Sequence, residues 1–183
     1  LLTSFCFTIL SFNGAIAQNA EVSNTVNFTK MDVSPLDMTV YRNSNKEPMA
    51  RVIYSRPQKK DREIFGSLVP YGKVWRTGAN ESTEITLYTS MQLGDTIVEP
   101  GTYTLYTIPN ENEWTVILNR ATNTWGSYDY KKDLDVVRYN VPTKGIDKDI
   151  EAFSMAFKPI DNGAQLLVGW DNTYVEVPFM MTK

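Results

Sequence analysis

Four of the six basic side chains in one segment of the chain are candidate donors to an anion; the segment, residues 55–81, reads SRPQKKDREIFGSLVPYGKVWRTGANE. They are Arg56, Lys60, Arg62 and Arg76. Guanidinium groups bind carboxylates and phosphates through paired N–H donors, so a pocket on which these side chains converged would hold a small anion. The alternative is that each arginine pairs with a carboxylate of the chain and only holds the segment in place. The nearest carboxylates in the sequence are Asp61, Glu63, Glu81 and Glu84.

Glu81 is the candidate for acid-base chemistry, because it follows Asn80 in the sequence TGANE, directly before a predicted strand. The chain has no histidine, so Ser-His-Asp and Cys-His catalysis are excluded. A hydrolase or lyase built on this chain would use Glu81 as the acid or base and Arg76 as the charge stabiliser. We predict binding rather than catalysis, since histidine, the most common general base near neutral pH, is missing.

Metal, nucleotide and nucleic-acid sites are not predicted. Asp129, Asp133 and Asp135 lack the glycine and the closing glutamate of a calcium loop. The segment TGANE lacks the Gly-Lys-Ser/Thr ending of a phosphate-binding loop. The formal net charge of -3 gives no electrostatic basis for binding nucleic acid. We therefore expect no metal and no cofactor, and the expected partner is a small anion or a sugar.

Trp125 is the aromatic side chain that we expect to be open to a ligand, because it lies in the loop sequence NTWGSY. An indole face packs well against the C–H surface of a sugar ring. Trp114 and Trp170 lie within β-type runs and are predicted to be core residues. The loop tryptophan is therefore the reason to keep a sugar among the expected ligands.

Alternation of apolar and polar residues predicts about ten short strands. The clearest runs are residues 49–54, 84–88, 102–108, 114–118, 135–141, 150–157, 165–170 and 174–179. The sequence Glu99-Pro100-Gly101 predicts a hairpin turn between two strands. The fold class is therefore all-β: a single-domain antiparallel β-sandwich or open barrel, with residues 55–81 as a long ordered loop. Loops of that length in compact domains are often functional.

Residues 1–17 read as a cleavable signal peptide, because they are apolar and uncharged and end in an A-x-A cleavage pattern. Their apolar run is too short for a membrane-spanning helix. Residues 18–30 are polar and predict a flexible lead-in to a β-rich domain at residues 31–183. We therefore expect an exported protein of the bacterial periplasm or envelope, with no transmembrane span in its mature form. No pattern in the sequence indicates an oligomeric state.

The pattern YSRP followed by IFGSLVPYGKVWRTGANE is similar to that of a bacterial family called domain of unknown function 2911. The similarity continues through PGTY at residues 100–103 and WTVILN at residues 114–119, as far as Arg138. The resemblance implies an exported protein with one β-rich domain, and it brings no known activity with it. Polar residues of this pattern are either satisfied within the protein or converge on a ligand. With Trp125, the predicted ligand-binding residues are Arg56, Arg76, Asn80, Glu81, Asn119 and Arg138.

The function predicted from the sequence is a small-ligand binding or accessory module of the bacterial envelope. Its pocket would be lined by arginine and flanked by tryptophan, between residues 55–81 and residues 119–133. One alternative is a His-independent hydrolase or lyase acting on an envelope glycan or small anion, and the other is a structural envelope protein. Carboxylate partners at every guanidinium would favour the structural alternative, whereas two or more arginines without such partners in an open pocket would favour binding.

Overall fold

The structure, a computed structural model, describes residues 26–182. Residues 26–30 have no regular secondary structure. The expected signal peptide and residues 18–25 of the expected lead-in lie outside the described residues. Within the described part of the chain, no helix is long and apolar enough to cross a membrane.

Within residues 26–182, nine strands form one antiparallel sheet in the order β1-β2-β3-β6-β7-β8-β9-β4-β5. Their bounds are β1 Leu36–Arg42, β2 Pro48–Ser55, β3 Glu84–Leu87, β4 Met91–Leu93, β5 Thr96–Val98, β6 Gly101–Pro109, β7 Glu113–Asn119, β8 Asp135–Ile160 and β9 Gly163–Met181. A single 3-10 turn, Lys132–Leu134, precedes β8. The predicted all-β class is confirmed, and the sheet is not closed into a barrel.

The two longest strands each join runs that the sequence pattern separates. Residues 135–141 and 150–157 both belong to β8, and residues 165–170 and 174–179 both belong to β9. The register of β8 against β9 shifts between Gly145 and Ile150 and again before Ser154. Such irregularities bend a strand without ending it. The polar residues at the bend of β8 look like a turn in the sequence, and the pattern therefore predicts two strands where the structure has one.

The core lies between two parts of this sheet that face each other, as in a sandwich. Alternate residues of β2, including Val52 and Tyr54, are buried in the same cluster as Leu166 and Val168 of β9. The Tyr54 hydroxyl donates to the carbonyl of Met155 at 3.2 Å and accepts from its backbone N–H at 3.0 Å. This contact ties β2 to the second half of β8 across the core.

The prediction of a hairpin turn at Glu99-Pro100-Gly101 is wrong. β5 pairs with β4, whereas β6 lies between β3 and β7, so this turn carries the chain from one part of the sheet to another. The tight hairpin forms one connection earlier, at Gly94 between β4 and β5. Gly94 has a φ of 60°, and a Cβ there would lie 2.6 Å from the ring of Tyr139. Turn chemistry alone does not determine which strands pair.

The predicted long ordered loop is present as residues 56–83, between β2 and β3. Its first part is held against β8, because the N–H of Lys59 donates to the carbonyl of Glu151 at 2.7 Å. Its second part is held against β6, where Trp75 and Thr107 exchange backbone hydrogen bonds at 2.7 and 3.0 Å. Anchored at both places, the loop presents its basic residues from a fixed backbone.

Candidate functional site

Three of the basic residues in the long loop line one cleft of about 500 Å³. They are Lys60, Arg62 and Arg76, and the cleft they line is called the basic cleft below. No Asp or Glu is among the residues that line it. Its apolar walls are Leu68, Val69, Trp75 and Trp170. The arrangement combines positive charge with apolar surface, which suits an anion that carries an apolar body.

Arg76 has no partner of its own within the described residues. Its Nε is buried and makes no hydrogen bond, and its guanidinium forms no ion pair. Its Nη1 lies beside Gly126, since a Cβ at that glycine would be 3.2 Å away. A buried donor without an acceptor costs stability, and native proteins seldom leave one unsatisfied. The Nε of Arg51 and the Nε1 of Trp114 are buried and unpartnered in the same way within the described residues, so what distinguishes Arg76 is its place in a cleft with two further cations.

Arg62 and Lys60 contribute charge to the basic cleft without a carboxylate partner among the described residues. The Nε of Arg62 donates to the carbonyl of Lys59 at 2.9 Å, and one Nη donates to the carbonyl of Gln58. These acceptors are neutral, so the positive charge of Arg62 is not cancelled locally. The neighbouring Lys59 differs, because it binds two aspartates.

Lys59 shows how this loop is fixed without using the residues of the cleft. Its Nζ donates to carboxylates of Asp149 and Asp171, which lie on β8 and β9. Hydrogen bonds to these two carboxylates raise the pKa of Lys59 above its usual value. One lysine therefore anchors the loop, and the next residue, Lys60, lines the basic cleft.

A strained turn at residues 77–80 connects the basic cleft to the residues that follow it. Thr77 is fully buried and has a φ of 56°, which a β-branched residue rarely adopts. Its carbonyl accepts from the hydroxyl of Thr83 at 2.7 Å. Gly78 is also required, since a Cβ there would lie 3.0 Å from the carbonyl oxygen of Ser55. Strain of this kind concentrates at functional sites, where the surrounding structure holds it in place.

Glu81 and Asn80 lie in a second cleft, of about 470 Å³, which is called the acidic cleft below. Three carboxylate residues line it, and no lysine or arginine does. They are Asp32, Glu81 and Glu84. Asp32 accepts from the side chain of Asn80 at 3.1 Å, and Glu84 accepts from the N–H of Asn123 at 2.6 Å. The Glu81 carboxylate makes no hydrogen bond or ion pair within the described residues.

Trp125 also lines the acidic cleft and is 59% exposed, in agreement with its predicted position in an open loop. An isolated bridge joins it to Glu81. The following residue, Gly126, donates its N–H to the carbonyl of Asn80 at 3.1 Å. The loop that carries Trp125 is therefore fixed directly against the residues 80–81 that follow the strained turn.

The structure does not bring Arg76 and Glu81 together as the charge stabiliser and the acid of one reaction. No ion pair joins them, and each lines a different cleft. The two clefts are nevertheless neighbours. Both are lined by Ser34, and the consecutive residues Ala79 and Asn80 line one cleft each.

Arg56 lines neither cleft, because its side chain joins β1 to β8. Its Nη1 donates to Asp37 at 2.9 Å, its Nε to the carbonyl of Phe153 at 3.1 Å and its Nη2 to the hydroxyl of Ser154 at 2.8 Å. All three nitrogens have acceptors supplied by the chain. The hydrogen bonds of Arg56 are therefore made within the protein, as expected if the arginines of the loop only stabilise the fold.

Asn119 and Arg138 meet at a third place, which is called the Asp135 brace and consists of Asn119, Tyr130, Asp135 and Arg138. The Asn119 amide donates to Asp135 at 2.8 Å, and the Tyr130 hydroxyl donates to the same carboxylate at 2.6 Å. Arg138 donates to it at 2.9 Å. Burial, together with the hydrogen bond to Asp135, raises the pKa of Tyr130 to about 12. The brace closes the loop before β8 and lines neither cleft.

The sequence pattern does not predict that Asp32 and Trp75 line the clefts. Asp32 reads as part of a turn, and its placement beside Asn80 depends on a contact across 48 positions of the chain. Trp75 reads as one aromatic among several in the loop, yet it packs in a cluster and stacks on Trp170 with ring centres 6.1 Å apart. The one available signal for Trp75 is its position next to Arg76.

Metal binding has no support in the described residues. Within residues 26–182 no group of three or more His, Cys, Asp or Glu side chains is arranged to hold a metal ion. The carboxylates of the acidic cleft are consistent with that finding, because Asp32 and Glu84 already accept hydrogen bonds from the chain. The chemistry that the two clefts offer is ionic and hydrogen-bonding recognition beside an aromatic surface.

Comparison with known proteins identifies the family of the chain. No curated protein and no solved structure matches it. A family model described as "Protein of unknown function (DUF2911)" matches residues 34–179. The matched residues include both clefts except Asp32 and Val33, and they include the Asp135 brace. Because the match covers most of the sequence, the chain belongs to the DUF2911 family.

Proposed function

We propose that this protein is a binding module for a small anion, and that the anion binds in the basic cleft. The observation that carries the proposal is that Lys60, Arg62 and Arg76 line one cleft without an Asp or Glu, and that none of the three forms an ion pair among the described residues. An incoming carboxylate or phosphate would balance the positive charge of Lys60, Arg62 and Arg76. The strained turn that follows Arg76 supports a site that is held ready for its ligand.

The apolar walls of the basic cleft narrow the class of anion. Leu68 is 45% exposed, and Trp75 lies beside it in the same cleft. Burial of exposed apolar surface adds to affinity, so an anion with an apolar or aromatic body should bind more tightly than inorganic phosphate. Benzoate, hexanoate and phenyl phosphate are suitable probes of this class.

We place this activity outside the bacterial cytoplasm, in the periplasm or envelope. The support is the signal-peptide pattern of residues 1–17 and its A-x-A cleavage site. Expression of the full chain in a bacterial host followed by N-terminal sequencing of the exported product tests this placement. A product that begins at Gln18 would agree with it, and an uncleaved product retained in the cytoplasm would contradict it.

The binding proposal is tested by calorimetric titration of the purified chain with hexanoate, benzoate, phenyl phosphate and inorganic phosphate. Arg76→Gln should weaken binding about tenfold or more, because a hydrogen bond between charged groups contributes roughly 1.5–3 kcal/mol. The matched control is Arg42→Gln, since Arg42 lies on β1 outside both clefts.

Each outcome of this titration decides the proposal. Saturable binding that is lost in Arg76→Gln and kept in Arg42→Gln supports it. Absence of binding by all four probes, or binding with equal affinity in wild type and Arg76→Gln, refutes it. Equal affinity would agree instead with the structural alternative, in which the arginines of the loop only stabilise the fold.

A further inference from the structure

We infer that the basic and acidic clefts form one bipolar site, and that its ligand is a small zwitterion. The carboxylate or phosphate of the ligand would lie at Arg76, and its ammonium group would lie at Glu81 and Trp125. The inference rests on the proposed function and names the ligand class of the same site. It follows from the placement of two oppositely charged clefts on either side of one fixed turn.

The two clefts adjoin each other. They share Ser34 as a wall, and the consecutive residues Ala79 and Asn80 line the basic and the acidic cleft respectively. Arg76 lies beside Gly126, which directly follows the exposed Trp125 in the sequence. The turn between the clefts is rigid, because Thr77 is fully buried and its carbonyl is held by Thr83. The separation of the two ends of the site is therefore fixed by the backbone.

The chemistry of the acidic end suits an ammonium group. Glu81 is exposed and has no ionic partner among the described residues, so its charge is available. The indole of Trp125, 59% exposed in the same cleft, offers an aromatic face to a cation. No lysine or arginine lines this cleft, which leaves its negative charge without compensation from its walls.

The alternative occupant of the acidic cleft is a neutral sugar stacked on Trp125. A sugar would use the indole and the amide of Asn80, but it would leave the charge of Glu81 unbalanced. An ammonium group would balance the charge of Glu81. Charge complementarity therefore favours the zwitterion, and the sugar becomes an outcome of the test.

The test compares pairs of probes that differ in one ammonium group. n-Alkanoates from acetate to hexanoate are titrated against ω-amino acids of the same length, from glycine to 6-aminohexanoate. If the protein binds phosphates more tightly than carboxylates, the two probes to compare are ethyl phosphate and phosphoethanolamine. We expect the amino compound to bind about tenfold more tightly at the length that spans the two clefts, from one ion pair and one cation–π contact.

Glu81→Gln assigns the effect to the acidic cleft. The gain from the ammonium group, measured as the ratio of the two dissociation constants, should fall to about one in this variant. The control is Glu111→Gln in the connection between β6 and β7, which lines neither cleft and should leave the ratio unchanged. Trp125→Ala should lower the ratio by a smaller factor.

Failure of the inference and failure of the proposed function give different results. If the anions bind through Arg76 but no amino compound gains affinity, the bipolar site is refuted and the anion site remains. Binding of methyl glucoside or methyl N-acetylglucosaminide that is lost in Trp125→Ala, without an ammonium gain, would assign the acidic cleft to a sugar and also refute the inference. If no anion binds, both proposals fail.

Discussion

The basic cleft and the Asp135 brace contain the same kinds of polar residue, but the partners of those residues differ. In the brace, Arg138 and Tyr130 both bind the carboxylate of Asp135, at 2.9 and 2.6 Å. In the basic cleft, Arg76 has a buried Nε without an acceptor. A guanidinium with acceptors from its own chain is part of the fold, whereas the charge of Arg76 has no counter-ion among the described residues. The comparison predicts that the two regions respond oppositely to mutation, with stability lost in the brace and binding lost in the cleft.

The largest expected effect is the loss of stability in Asn119→Ala. Asn119 is fully buried and its side chain bonds to Lys131, Asp135 and Ala121 at 2.8–3.0 Å. Its removal breaks three hydrogen bonds at a fully buried position, so we expect the free energy of unfolding to fall by about 3 kcal/mol. Urea denaturation measures this change. The control Asn140→Ala, at an exposed position of β8, should change it by less than about 0.5 kcal/mol. A loss below about 1 kcal/mol in Asn119→Ala would contradict the assignment of the brace to folding.

The second-largest loss of stability is expected in Arg56→Ala. Like Arg138, Arg56 donates its hydrogen bonds to acceptors of the chain. Three hydrogen bonds are lost, but the side chain is 35% exposed, so water compensates part of the loss. We expect destabilisation of about 2 kcal/mol in urea denaturation. Calorimetric titration with hexanoate should give the same dissociation constant for the folded variant as for wild type. A change of tenfold or more in that constant would place Arg56 with the cleft instead.

A smaller effect is predicted in the pH dependence of stability. The pKa of Tyr130 is about 12 in the folded protein, against 10.0 for an unperturbed tyrosine. Between these values the unfolded chain loses this proton and the folded protein keeps it. The contribution is therefore fully present below pH 10 and is lost as the pH rises towards 12. The free energy of unfolding should fall less steeply over this interval in Tyr130→Phe than in wild type.

Tyr128→Phe is the control for this pH effect, because Tyr128 lies in the same loop and is 80% exposed. The pKa values of Tyr54 and Tyr71 are also raised, mainly by burial, and they contribute the same slope in every variant. Equal slopes in wild type and Tyr130→Phe would mean that the phenol of the brace is not shielded as the structure indicates.

The smallest effect on stability is expected in Arg76→Met. This change removes a charged group without breaking a hydrogen bond within the described residues, and the methionine side chain keeps most of the apolar contacts of the arginine. The free energy of unfolding should change by less than about 0.5 kcal/mol in the absence of ligand. A fall in the free energy of unfolding of more than about 2 kcal/mol would reveal that Arg76 stabilises the fold. Arg76 would then have the same role as Arg138 in the Asp135 brace.

Much of the fold follows from patterns that are local in the sequence. Strand β2 has buried residues at alternate positions, and the sequence alternates there in the same way. The length of the loop at residues 56–83 and the exposure of Trp125 also follow from local composition. The pairing of β6 does not, because the choice between β5 and β3 as its neighbour depends on burial of both faces of the sheet.

The sequence by itself determined the residue types that the protein could use: six basic residues in one loop, no histidine, and one tryptophan in an open connection. It did not determine which arginines bind carboxylates of the chain. The acceptors of Arg56 come from positions 19, 97 and 98 residues away in the chain. Whether a donor is satisfied depends on atoms within about 3 Å in space, and tertiary structure sets those distances. Only the folded chain therefore separates Arg56 and Arg138, which bind carboxylates of the chain, from the arginines of the basic cleft.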